Sequence, residues 1–247
     1  MAILETTDLT KRFGGVTAVD GVDLTIPTAE ITSLIGPNGA GKTTLFDMLA
    51  GALTPTTGSI RFQEEDITGL APEAIVREGI AKSFQITNVF DGISVLENVR
   101  VAVQARHRGG WNVYRHADSK TEYTDEALEI LGFVGLDEER DRLASTLSHG
   151  DKRSLEIGLA LAVDPELLLF DEPAAGMSQM EIEAMLDLID ELVGEYTIML
   201  VEHNMDIVMN VSDRVVVLHN GAVIASGAPS SVRADDAVQE AYLGGVA

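Results

Sequence analysis

Short runs of unbroken apolar residues recur along this chain, and between them the apolar positions fall at helical spacing. ITSLIG (31–36), LLLF (167–170) and the VVVL of 215–218 are strand-sized and apolar almost throughout. Such runs read as strands buried on both faces, and their alternation with helical patterns predicts an α/β fold with a mainly parallel sheet. Segments 3–8, 19–26, SIRFQ (59–63) and TIMLVEH (197–203) read as further strands, and TPTTG (54–58) as a turn. A helix is predicted from Lys42 to Ala50, stopped by Gly51. Ser94 with Glu97, and Ser178 with Glu181, have the spacing of capping boxes. The first opens a helix to about Arg106, and another helix covers about 122–134. The second opens a long helix with Met185, Leu188, Ile189, Leu192 and Val193 on one face. RVVVLHNGAVIASG reads as a hairpin, because Asn220-Gly221 suits a type I′ turn. Residues of about 87–150 therefore look like a helical insert in an α/β core.

Composition sharpens this picture at three points. The chain has 247 residues, 45% of them hydrophobic, which is enough for one large domain or two small ones with a substantial core. It has no cysteine, so disulfides and thiolate metal sites are excluded. MAILETTDLTKRFGG lacks the basic flank and apolar region of a signal peptide. No apolar run approaches the ~20 residues of a spanning helix, so a soluble, cytoplasmic protein is expected. The charge is the third point. Forty acidic residues face seventeen basic ones, five of them lysine, for a net charge of −23. That field repels nucleic acid and anionic lipid. It also suits a salt-rich cytoplasm, where ions screen the self-repulsion.

The chemistry begins at GPNGAGKT (36–43), which matches G-x-x-x-x-G-K-[ST] between a predicted strand and a predicted helix. Gly36, Gly39 and Gly41 let backbone N–H groups turn inward around phosphates. Lys42 reaches the β- and γ-phosphates, and Thr43 offers a hydroxyl to Mg2+. LLLFDE delivers Asp171 to a strand end, where it can hold the metal through water, and Glu172 can polarise the attacking water. A parallel sheet places strand ends on one edge, so His203 can contact the γ-phosphate, and Gln85 can sense Mg2+ and water. Phe13, before Gly14-Gly15, is either a stacking platform for adenine or an ordinary core aromatic. In LSHGDKR (147–153), Ser148 and Gly150 open a helix, the makings of a second anion site. Ser148 and Asp151 also have capping-box spacing, which explains part of that stretch without any ligand. His107, His116, His149 and His219 show no metal-ligand spacing.

Taken in order, Phe13, GPNGAGKT, Gln85, a helical insert, LSHGDKR, LLLFDEP, AAGMS and His203 resemble the ATP-binding subunit of ABC transporters along essentially the whole chain. LSHGDKR resembles that family's signature, usually LSGGQ, with His149 in place of a Gly and Asp151 in place of the Gln. AAGMS carries Ser178 where many members have Asp. The resemblance implies a P-loop NTPase (RecA-like) core, an antiparallel β subdomain and the inserted α-helical subdomain. It implies ATP and Mg2+ as cofactors, with nucleotide-binding positions Phe13, Gly36, Pro37, Asn38, Gly39, Ala40, Gly41, Lys42, Thr43, Thr44, Ser148, His149 and Gly150. Thr43, Gln85 and Asp171 would serve the metal; Glu172, His203 and Gln85 would be catalytic. Two ATPase subunits would pack head to tail, so that the signature of one closes over the γ-phosphate held by the other. Two membrane-spanning permease subunits would be driven from the inner face of the membrane, contacted by ITNVFDGISVLENV, with a substrate-binding protein acting indirectly. FQITNVF, the 107–119 insertion, LSHGDKRSLEIG, DEPAAGM, VEHNMDIVM and AYLGG look like importers of branched-chain or neutral amino acids. Urea and short-amide importers are the near alternative, and a lipopolysaccharide-type exporter or a non-transport ABC ATPase are more distant ones. The charge of −23 weighs against work on DNA or ribosomes. A GTPase would need an N-K-x-D-type base reader, which is absent.

Overall fold

The computed structural model describes residues 1–83, 89–107 and 118–243. Chain contacts divide it into two compact units, one of 1–82, 166–172 and 189–247, the other of 83–165 and 173–188. The second unit runs beyond the 87–150 read as the insert, since it includes the helix that follows LSHG.

In the first unit, β1 (Ala2–Phe13), β2 (Val16–Pro27), β4 (Thr57–Phe62) and β5 (Glu65–Asp66) form a four-stranded antiparallel sheet in the order β2-β1-β4-β5. β1 and β2 are longer than 3–8 and 19–26. Shifts of register after Thr6 and Leu9 let pairing continue through the polar Thr10-Lys11-Arg12 stretch, which carries no apolar alternation to read. The second sheet has six strands in the order β10-β9-β3-β8-β7-β6. These are β3 (Ile31–Ile35), β6 (Ile80–Ser83), β7 (Leu167–Asp171), β8 (Thr197–Val201), β9 (Arg214–His219) and β10 (Ala222–Gly227). β3 runs parallel to β8 and β9, and β7 parallel to β8. Every residue of β3, β7 and β8 is buried, as unbroken apolar runs require. β8 stops at Val201, two residues before the expected end, which leaves Glu202 and His203 beyond the strand. Asn220 and Gly221 both have positive φ, 49° and 82°, as a type I′ turn demands.

Helix α1 (Lys42–Leu49) packs Leu45, Phe46, Met48 and Leu49 into a core shared with both sheets. Four further short helices, α2 (Pro72–Arg77), α7 (Met205–Val211), α8 (Pro229–Arg233) and α9 (Asp236–Leu243), are not predicted by the apolar pattern. None is long enough to display a helical period; proline at the first helical turn starts α2 and α8.

The second unit contains α3 (Val95–His107), α4 (Asp118–Phe133), a single 3-10 turn at Ala144–Thr146, and α5 (His149–Leu161). The Ser94 hydroxyl caps α3 by accepting from the Glu97 N–H at 3.1 Å. α6 (Gln179–Leu192) follows the Asp171 strand and buries Met185, Ile189 and Leu192, as its predicted face requires. Its cap differs from a capping box. The Ser178 hydroxyl donates to Glu181 at 2.6 Å instead of accepting a backbone N–H, and the Ser178 N–H donates to the same carboxylate at 2.8 Å.

Candidate active site

GPNGAGKT leaves the end of β3 and enters α1. Gly36 and Gly41 are required by space as well as by φ, and Gly39 by its φ of 79° alone. At Gly36 a Cβ would lie 2.1 Å from the Leu218 carbonyl oxygen, and at Gly41 one would lie 2.3 Å from that of Ala18. The loop is therefore pressed against β9 and β2 so closely that only backbone fits. Ala40 is buried, and its carbonyl accepts the Gly221 N–H at 2.9 Å, so the β9–β10 turn props the loop from behind. Asn38, Gly39 and Thr43 are exposed, while Pro37 and Thr44 are half-buried. The Lys42 ammonium, with its residue 9% exposed, folds back onto the carbonyl oxygens of Gly36 (2.7 Å) and Pro37 (3.1 Å). Burial pushes its pKa down, and the carboxylates of Glu172 and Asp171 pull it back up. A cationic group beside a backbone turn that admits no side chain at Gly36 or Gly41 has the chemistry to take a phosphate chain.

Asp171 is the last residue of β7 and is 2% exposed. Burial pushes its carboxyl pKa up, opposed chiefly by the nearby Lys82 ammonium. Glu172 follows in a left-handed conformation, φ 49°, rare for a residue with a Cβ. Its N–H donates to the Val201 carbonyl at 2.9 Å, so the turn is fixed by the neighbouring strand. Because Asp171 pairs with Val201 across parallel strands, the residues after β8 lie beside Glu172. His203 Nδ1 stands 3.9 Å from Glu172 Oε1 and 4.0 Å from Glu202 Oε2, too far for hydrogen bonds, on a side chain that is 64% exposed. The edge thus brings together Asp171, Glu172 and His203. Gln85 lies outside the described residues.

Phe13 is 48% exposed at the end of β1, with the Lys11 ammonium 5.2 Å from its ring centroid. The core-aromatic reading is therefore set aside, and a ring face that could stack on a base remains. Sequence reasoning missed Lys82, whose Nζ lies 2.7 Å from Asp47 and 3.7 Å from Asp171. The only available signal was a lysine inside the otherwise apolar start of IAKS.

In the second unit, Ser148 caps α5. Its hydroxyl accepts the Asp151 N–H at 3.1 Å, while Asp151 Oδ2 accepts the Ser148 N–H at 3.4 Å. The glycine of this stretch is explained by a neighbour, because a Cβ at Gly150 would lie 2.9 Å from Glu181 Oε1. The Ser178 hydroxyl, then its N–H, lower the Glu181 pKa, with smaller contributions from His149 and the Gly150 N–H. Two carboxylates thus already stand at the first turn of α5. Among the described residues no cluster of potential metal ligands of three or more His, Cys, Asp or Glu occurs, and no helix is long and apolar enough to cross a membrane.

Comparison with known proteins extends this local picture to the full length. The ABC transporter family model matches residues 19–175, and the model for the branched-chain amino acid ATP-binding cassette transporter matches residues 222–247. The high-affinity branched-chain amino acid transport ATP-binding protein BraF of Pseudomonas aeruginosa is 41% identical over 250 residues, covering 98% of each chain. LivG of Salmonella typhimurium, described in the same words, is 41% identical over 251 residues, again with 98% of each covered. The probable LivG of Methanocaldococcus jannaschii is 33% identical over 99% of this chain and 98% of its own. Among solved structures, a nucleotide-free ATP-binding cassette from an ABC transporter superposes with a TM-score of 0.86 at 31% identity, over 98% of this chain and 99% of that one. An ADP-bound cassette gives 0.85 at 31% identity, over 99% of each. The enzymatic activity of such cassettes is ATP hydrolysis. Since the likeness extends from β1 to the last helix and is not confined to the phosphate loop, the chain belongs to the ATP-binding family of ABC transporters.

Proposed function

We propose that this chain binds and hydrolyses ATP to power the import of branched-chain or neutral amino acids through separate membrane subunits. The observation that carries this reading is the 41% identity to BraF over 98% of both chains, joined by the branched-chain-specific match at 222–247. The urea and short-amide alternative is not favoured by either. Lys42 and the loop N–H groups hold the phosphates, Phe13 stacks on the base, and Glu172 takes the proton of the attacking water with His203 beside it. Gln85 attends the same water and metal. Mg2+ fits the donor set, a buried carboxylate at Asp171 and the exposed Thr43 hydroxyl; when bound it neutralises charge on the phosphates. Ser148, His149 and Gly150 serve the nucleotide of a second ATPase subunit packed head to tail; that a 25%-identical ABC transporter cassette is solved as a dimer supports pairing of two such subunits. Two permease subunits and, indirectly, a substrate-binding protein complete the assembly, with this chain at the cytoplasmic face of the membrane. The net charge of −23 suits a high-salt interior.

Mixing two inactive variants tests the arrangement. Lys42→Ala homodimers lack the loop lysine at both sites, and Ser148→Arg homodimers lack the signature hydroxyl at both. A mixed dimer has one site combining an intact loop from one subunit with an intact signature from the other. Mixing is expected to restore phosphate release or nucleotide-driven pairing in gel filtration. Failure of both would mean that the signature serves its own subunit's nucleotide.

A further inference from the structure

Strand β6 begins with two buried apolar residues, Ile80 and Ala81, and then turns a lysine inward. The Lys82 side chain is 12% exposed. Its ammonium lies 2.7 Å from Asp47 Oδ1, 3.7 Å from Asp171 Oδ2, and 5.2 Å from the centroid of the buried Phe46 ring. Removing an ammonium from water is costly unless it is paired, so this position is sustained by the two carboxylates.

The carboxylates belong to different elements. Asp171 ends β7. Asp47 lies on α1 four residues after Thr43, so the two share one face of that helix. Lys82 therefore ties the helix face that carries Thr43 to the strand end that carries Asp171. The two distances give it unequal duties. At 2.7 Å the contact with Asp47 is a full hydrogen bond. At 3.7 Å the contact with Asp171 is a longer ion pair, beyond ordinary hydrogen-bond distance. One ammonium also serves two carboxylates, so the cluster retains a negative charge for a divalent cation to meet.

We infer that Lys82 is a positioning residue of the metal site, a fixed internal cation anchored on Asp47 that aims the Asp171 carboxylate and holds α1 at the spacing a divalent cation needs. Lys82 contacts neither metal nor phosphate in this role. The inference rests on the reading of Asp171 as the metal-holding carboxylate and adds the group that sets its direction. Partners of this outer kind commonly change metal affinity by about 10–100-fold when removed.

The test is a MgCl2 titration of the binding of a fluorescent ATP analogue, run in a Glu172→Gln background so that turnover does not enter. Lys82→Met keeps the length of the side chain and removes the charge. Its Mg2+ midpoint is expected to rise about tenfold, with affinity in EDTA hardly changed, and Lys82→Arg should recover most of the loss. Asp47→Asn, which loosens the anchor, should shift the midpoint in the same direction and stands in if Lys82→Met does not fold. A shift in an Asp171→Asn control without one in Lys82→Met and Asp47→Asn overturns the role of Lys82 alone. No shift in Asp171→Asn overturns the metal assignment itself. Equal weakening of Lys82→Met with and without Mg2+ would show a role in the fold or at the phosphates, and the inference would be wrong.

Discussion

Glu172 combines two properties that seldom meet in one residue. It is the group proposed to take a proton from water, and its φ of 49° places it in the left-handed region, a conformation that costs a residue with a Cβ about 1–3 kcal/mol. The Val201 carbonyl holds it there through its N–H. The carboxylate is thus aimed by the backbone, and a substitution that keeps the side-chain shape should keep the aim. Glu172→Gln retains size and polarity but loses the base. Hydrolysis should fall by about 10²–10⁴-fold while nucleotide binding and thermal stability hold. Phosphate release and the melting temperature, measured on one preparation, decide this; near-normal turnover would move the proton-accepting role to His203, which stands 3.9 Å away.

At the scale of elements, the turn at Asn220-Gly221 does more than reverse a hairpin. The Gly221 N–H donates to Ala40 in the phosphate loop, and its carbonyl accepts the Asp20 N–H of β2 at 2.9 Å. A Cβ there would meet the Ala18 carbonyl at 3.0 Å, at a φ of 82°. Gly221→Ala should therefore destabilise the protein by about 1–3 kcal/mol and also weaken ATP binding, because the strut behind the loop moves. A calorimetric titration with ATP against the melting temperature separates the effects, and unchanged affinity would reduce the turn to a simple connection. That this turn is a hairpin could be read from two residues; that it braces the loop could not, since no local pattern reports a contact made from Gly221 to Ala40. The same division holds elsewhere. β3, β7 and β8 were legible because strands buried on both faces must be apolar throughout. Asp171 and Glu172 were legible because such a run ends in two acids. Lys82 was not, since one lysine in a four-residue strand has the look of a solvated position until the fold folds its ammonium between Asp47 and Asp171. Glu181 was read only as a cap for α6, yet its carboxylate also dictates the glycine at 150, a demand set by the packing of two helices.

Across the whole molecule, the excess of acids is its dominant physical fact. A net charge of −23 on 247 residues makes the compact state repel itself in dilute buffer. At multimolar salt the screening length falls to about 3 Å or less, and that repulsion disappears. The melting temperature is therefore expected to climb steadily from low to multimolar KCl, and scans across that range would reveal it; a flat profile would remove the high-salt interpretation of the composition. The order in which the chain builds its central sheet carries a different consequence. The Ala29 N–H, just before β3, donates to Thr197, 168 residues later, and the Ile31 N–H donates to Asp213 across 182 residues. β3 gains its strand neighbours, and the phosphate loop its brace from Gly221, only near the end of synthesis. A nascent chain leaving the ribosome exposes the phosphate loop, residues 36–43, early, but β9 and the Gly221 brace behind it emerge only with the last fifth. Formation of the phosphate loop's support is thereby coupled to completion of the central sheet.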